Sequence, residues 1–108
     1  MIWAGNPVQT HTQLARRIMK ARARGAKLIV IDPRLTATTS KADLWLRPRP
    51  GTDGALALGM LNIIINEELY DADFVDRWCA GFEELRQRVQ EYPVEKVAEI
   101  TCHLGELI

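Results

Sequence analysis

Three short polar segments stand where apolar runs give out: Gly5-Asn6-Pro7, Asp32-Pro33-Arg34 and Gly51-Thr52-Asp53. Their chemistry suits a nucleotide. Gly5 lets a ligand approach the backbone, and the Asn6 amide can both donate and accept a hydrogen bond. Asp32 follows Gly5 by 27 residues, close to where Rossmann-like units place an acid that accepts from ribose hydroxyls. Arg34 can offer two parallel N–H donors to a phosphate or a carbonyl edge. The Asp53 carboxylate can accept from two adjacent N–H groups, the pattern guanine presents and adenine lacks. Each segment also has a plainer reading: Asn6-Pro7 as a turn, Asp32 as a turn cap beside a solvated Arg34, Asp53 as a helix cap. The ordered set is what points to a ligand, because loops at the carboxyl ends of neighbouring parallel strands converge on one crevice.

The elements that must position these loops follow from periodicity. Met1 to Ala4 is a short apolar segment ending at Gly5, read as a buried strand. Thr10 and Gln13 have capping-box spacing, with Leu14, Ala15, Ile18 and Met19 on one face of a helix that stops at Gly25. Lys27 to Ile31 is a β-branched run of the kind buried on both faces in a parallel sheet, ended by Pro33. Leu35 to Lys41 reads as a loop or short helical turn, and Asp43 to Leu46 as a third strand. Proline at 48 and 50 stops any further ladder. Thr52 or Asp53 then caps a helix from 54 to 67 that is apolar nearly all round, as a helix buried on most sides would be. Helices are expected over 73–80, 83–91 and from Pro93 to Ile100.

The fold class this order implies is α/β: a three-layer, Rossmann-like parallel sheet flanked by helices, with right-handed crossovers and a helical C-terminal part. The 108 residues allow one domain, with 1–67 as a βαβ-type core, 68–101 as a helical segment and 102–108 as a tail. A strand at the very start and a helix apolar all round suggest a partial domain, a fragment of something larger. Trp3, Trp45 and Trp78 are expected in the core.

Composition narrows the partners. Net charge is zero, yet residues 1–50 carry ten Lys/Arg against two acids, and 51–108 carry four against twelve. A basic first half favours an anionic ligand. Arg16 to Lys27 holds six cations and no acid, but no recognition motif accompanies it and the whole chain is neutral, which argues against a nucleic-acid binder. Neither the Gly-x-Gly-x-x-Gly fingerprint nor a Walker loop is present. Cys79 and Cys102 lack the close spacing of zinc or iron–sulfur ligands, and read as buried free thiols. The apolar run from Leu56 to Ile65 is about half what a bilayer needs, and no secretory signal is visible, so the fragment as given is expected to be cytoplasmic and without membrane insertion, while the localisation of a parent protein stays open.

Read together, the motifs resemble the molybdopterin oxidoreductase family, the dimethyl sulfoxide reductase superfamily with its formate dehydrogenases, nitrate and thiosulfate reductases and acetylene hydratase. The residues that carry this are Ile2-Trp3-Ala4-Gly5-Asn6-Pro7, Gly25 through Arg34, Ala42 through Leu46, Arg49 through Ala57, and Leu69-Tyr70-Asp71 with Phe74, Val75, Trp78, Gly81 and Phe82. The resemblance covers about residues 1–101. It implies a fragment of a catalytic subunit that helps bind one guanosine half of bis-molybdopterin guanine dinucleotide, with molybdenum or tungsten. Gly5, Asn6, Pro7 and Thr10 would form the first cofactor loop, Asp32, Pro33, Arg34 and Thr36 the second, and Gly51, Thr52 and Asp53 the third. One of Asp32 and Asp53 would read guanine. No residue maps to the family's molybdenum ligand or to its amino-terminal iron–sulfur cysteines, so the isolated chain is expected to be inactive and to retain no cofactor tightly. Its partners would be the remaining domains of the parent subunit. Two other readings stay open: a ligand-free interaction module that self-associates through exposed apolar surface, and a small Rossmann-like nucleotide-binding domain unrelated to molybdenum.

Overall fold

The computed structural model describes residues 1–101. It is a mixed α/β chain with a small parallel sheet and six α-helices among the described residues. Two compact units divide it, Met1–Pro48 and the part from Arg49 onward.

The first unit holds the sheet. Strand β1 (Ile2–Trp3) is followed by α1 (Pro7–Thr10), α2 (Thr12–Arg22) and β2 (Ile29–Ile31), then a 3-10 turn (Thr39–Lys41) and β3 (Leu44–Leu46). The strands lie in the order β1-β2-β3, all parallel, with Trp3 opposite Ile31 and Ile31 opposite Leu46. Val30 and Ile31 of the central strand are wholly buried, as expected for a β-branched strand with a neighbour on each side. One carboxylate closes the lower end of this layer. Asp43 Oδ2 accepts from the Leu28 amide at 2.7 Å, and Asp43 Oδ1 accepts from Arg22 at 3.1 Å, so the ends of α2, β2 and β3 are tied together.

The capping box predicted at Thr10 does not form. Pro7 starts a separate single turn, α1, and the chain restarts at Thr12 with His11 as the N-cap. The Thr10 hydroxyl donates back to the Asn6 carbonyl at 3.0 Å. Proline's fixed φ initiates the turn earlier than the Thr-x-x-Gln pattern implies.

The second unit is helical: α3 (Asp53–Asn66), α4 (Ala72–Trp78), α5 (Phe82–Val89) and α6 (Val94–Thr101). Helix α3, grouped with the strands on sequence, packs on α5 and α6. Its buried stripe is Leu56, Gly59, Asn62 and Ile65, and most of its other apolar residues are half-buried rather than enclosed as anticipated. The mid-helix Asn62 is satisfied by donating to the Val89 carbonyl at 2.8 Å. Asp71 caps α4 by accepting from the Phe74 amide at 2.9 Å.

Further expectations about burial fail here. Trp3 and Trp45 are half-buried, Trp78 is 76% exposed, and Cys79 beside it is also exposed. Trp78 and Cys79 sit at the end of α4, which buries none of its residues. Cys102 and His103 lie outside the described residues. Among the described residues no helix is long and apolar enough to cross a membrane.

Candidate functional site

Because the three strands are parallel and in register, the segments leaving Trp3, Ile31 and Leu46 emerge at the same end of the sheet, the carboxyl ends of its strands. The structure brings the first two candidate loops together there. Thr38, a buried residue, donates its hydroxyl proton to Asn6 Oδ1 at 2.7 Å, and its oxygen accepts from the Val8 amide at 3.4 Å. The turn after β1 is thus fastened to the segment after β2.

The first loop opens with a constrained backbone. Ala4 has φ of 53°, the left-handed region that costs a side-chain-bearing residue about 1 kcal/mol or more. Its amide donates to the Ile31 carbonyl at 2.8 Å, which holds it against β2. Pro7 is buried, and Asn6 Nδ2 donates to Gln9 Oε1 at 2.9 Å.

The second loop is built around Asp32, only 2% exposed. Its Oδ1 accepts from the Arg34 amide at 2.8 Å, a side-chain turn that shapes Asp32-Pro33-Arg34 from within. The Arg34 guanidinium lies 3.5 Å from the same oxygen while its side chain remains 74% exposed. Two residues of β3 and beyond support this loop: Trp45 Nε1 donates to the Asp32 carbonyl at 2.8 Å, and Arg47 Nε donates to the Pro33 carbonyl at 3.2 Å. Arg47 also stacks over the Trp45 ring. Farther on, the Thr36 amide bonds to the buried Thr39 hydroxyl, which also donates to the Thr36 carbonyl.

Gly51, Thr52 and Asp53 belong to the second unit. Gly51 has φ of 85° with open space around its α-carbon, so the turn needs glycine for its backbone, not for room. Thr52 is the N-cap of α3, yet its hydroxyl donates to the Arg49 carbonyl at 2.6 Å rather than capping the helix. Asp53 begins the helix, where a negative charge complements the dipole.

The residues that hold the first two loops were not apparent from sequence. Thr38, Thr39 and Trp45 are the fasteners, and the run of Thr and Ser after Asp32-Pro33-Arg34 was the available signal. Among the described residues no three His, Cys, Asp or Glu side chains are placed to hold a metal ion. The donor set is one of amide, guanidinium, hydroxyl and carboxylate groups, which fits the phosphate, ribose and base of a nucleotide rather than direct metal ligation.

Residues 1–99 match the molybdopterin oxidoreductase family. Over 110 aligned residues the chain is 53% identical to the acetylene hydratase of Syntrophotalea acetylenica, covering 99% of this chain and 15% of that protein. It is 42% identical over its whole length to the F420-dependent formate dehydrogenase subunit alpha of Methanocaldococcus jannaschii, covering 16% of that subunit. The solved structure of acetylene hydratase from Pelobacter acetylenicus superposes with a TM-score of 0.84 at 54% identity, over 93% of this chain and 14% of that one.

The chain belongs to the molybdopterin oxidoreductase family. It spans about 15% of the length of acetylene hydratase, the relative it matches at 53% identity.

Proposed function

We propose that this chain is a segment of a molybdopterin-dependent oxidoreductase that supplies part of the guanosine-side cradle for bis-molybdopterin guanine dinucleotide. The observation that carries the reading is the Thr38–Asn6 hydrogen bond, which ties the loop after β1 to the segment that follows the second loop, beside strand ends that a Rossmann-like sheet would turn toward a nucleotide. Gly5, Asn6, Pro7 and Thr10 form the first contact loop, and Asp32, Pro33, Arg34 and Thr36 the second. Gly51, Thr52 and Asp53, which lie in the second unit, are the third proposed contact loop. Asp32 is buried and its Oδ1 is engaged by its own loop, so its role is to present Arg34 to an anionic group. This favours Asp53 as the carboxylate that reads guanine. When bound, the cofactor's metal supplies the electron- or atom-transfer chemistry, and these residues hold and orient its nucleotide end.

The test is titration of the chain with GMP and AMP, followed by calorimetry and by amide chemical shifts. GMP should bind in roughly the millimolar range, as expected of a single nucleotide on a partial site. It should shift residues 5–10, 32–36 and 51–53 and outcompete AMP. Binding of AMP in preference to GMP would instead favour an unrelated nucleotide-binding domain. No response to either nucleotide would end the proposal.

The exposed Phe74 and Trp78, four residues apart on α4, favour a second property, self-association through apolar surface. Light scattering that shows a monomer up to millimolar concentration would rule it out.

A further inference from the structure

Thr38 sits where it can decide which end of the Asn6 amide faces a ligand. It is 1% exposed, and no side chain of its type survives burial with an unused hydroxyl proton at little cost. A backbone N–H can only donate, so the Val8 amide at 3.4 Å occupies a lone pair of Thr38 Oγ1. The hydroxyl proton is then left to donate, and Asn6 Oδ1 at 2.7 Å receives it. With the amide turned the other way, Nδ2 would donate to an oxygen already accepting, and the buried hydroxyl proton would lose this partner. The amide polarity is therefore set: the carbonyl end faces the protein, and the NH2 end points away from Thr38 and donates to Gln9 Oε1 at 2.9 Å. One N–H of that NH2 group remains beyond the bond to Gln9.

We propose that Thr38 is a positioning residue that fixes Asn6 as a hydrogen-bond donor, so that the loop after β1 selects an acceptor such as a phosphate or carbonyl oxygen. This rests on the reading of that loop as a nucleotide contact. It adds what the loop can recognise, and it names a residue that acts through Asn6.

The experiment compares Thr38→Val with Thr38→Ser in the 108-residue chain, reading the Asn6 side-chain NH2 resonances by 15N NMR and the affinity for GMP by calorimetry. Valine keeps the shape and removes the hydroxyl, whereas serine keeps the hydroxyl. In Thr38→Val the Asn6 NH2 pair should move markedly, and GMP affinity should fall by roughly tenfold, as for one lost hydrogen bond. Thr38→Ser should restore both. Unchanged Asn6 resonances in a folded Thr38→Val chain would overturn the inference, whether or not nucleotide binds. Absence of GMP binding in the unmodified chain would instead remove the functional reading and leave the resonances to decide Thr38. Asn6→Asp serves if the valine variant does not fold. It keeps an acceptor for Thr38 and removes the donors, so it should melt near the unmodified chain and lose GMP affinity at least tenfold. A large loss of stability, or retained affinity where the unmodified chain binds, would overturn the proposal.

Discussion

Gly59 of α3 lies against Val97 of α6 so closely that a β-carbon on it would fall 2.7 Å from Val97 Cγ2. Both residues are buried, and the two helices pack through this point. The absence of a side chain is what allows the approach.

Gly59→Ala should therefore destabilise the chain although alanine is the better helix former. The helix gains about 1 kcal/mol from the exchange, and overpacking costs about 1–3 kcal/mol with three Val97 atoms at or under 3.2 Å. Denaturant unfolding should show a lower midpoint, and Val97→Ala in the same chain should recover part of it. A higher midpoint for the single variant would mean that α3 and α6 separate freely.

Helix α3 ends with Glu68 at φ of 54°, where the Leu69 amide donates to the Ile64 carbonyl at 2.8 Å and the Glu68 amide to Ile65 at 3.3 Å. This is the Schellman arrangement, whose left-handed residue is usually glycine. Glu68→Gly should raise stability by about 0.5–1 kcal/mol, since the relief of steric strain exceeds the added chain entropy. Thermal melts check this, and a drop in melting temperature would contradict it.

Asp43 carries a pH dependence. The Leu28 amide, and after it Arg22, hold its carboxyl below the usual 3.8. A carboxylate with a depressed folded value stabilises the fold fully above its unfolded value, and that contribution fades as pH falls through the folded one. Asp43→Asn should thus lower stability at neutral pH, and the gap to the unmodified chain should close below about pH 3.8. A constant gap from pH 7 to pH 2 would show that the carboxylate's charge plays no part.

On the nucleotide side, Arg34→Ala should weaken GMP and AMP alike and reduce the salt dependence of binding, because a guanidinium on phosphate does not distinguish bases. Asp53→Asn should instead erase the preference for GMP with little effect on AMP. Competition titrations at two ionic strengths separate the two. Equal losses in both variants would argue against the division of roles.

Much of the architecture was legible before any coordinates. The β-branched run ending at Ile31, the prolines at 33, 48 and 50, and Pro93 ahead of α6 act through local sterics, so chain order alone reports them. The order of loops 5–7, 32–34 and 51–53 was equally plain and led to the family. The Thr10 capping box failed because two local signals competed and the proline at 7 prevailed. The expected burial of Trp78 and Cys79 failed because burial depends on which neighbours reach a surface, and among the described residues none encloses α4.

Local stereochemistry, which each residue carries with it, determined the elements and the places where the chain must turn. The sequence alone therefore disclosed strand and helix order and the candidate loops. Only the tertiary structure joined Thr38 to Asn6 across 32 positions, set Trp45 on Asp32, and pressed Gly59 against Val97. Those pairings come from folding back through the sheet and the helix stack, and no spacing rule along the chain encodes which distant hydroxyl will meet which amide.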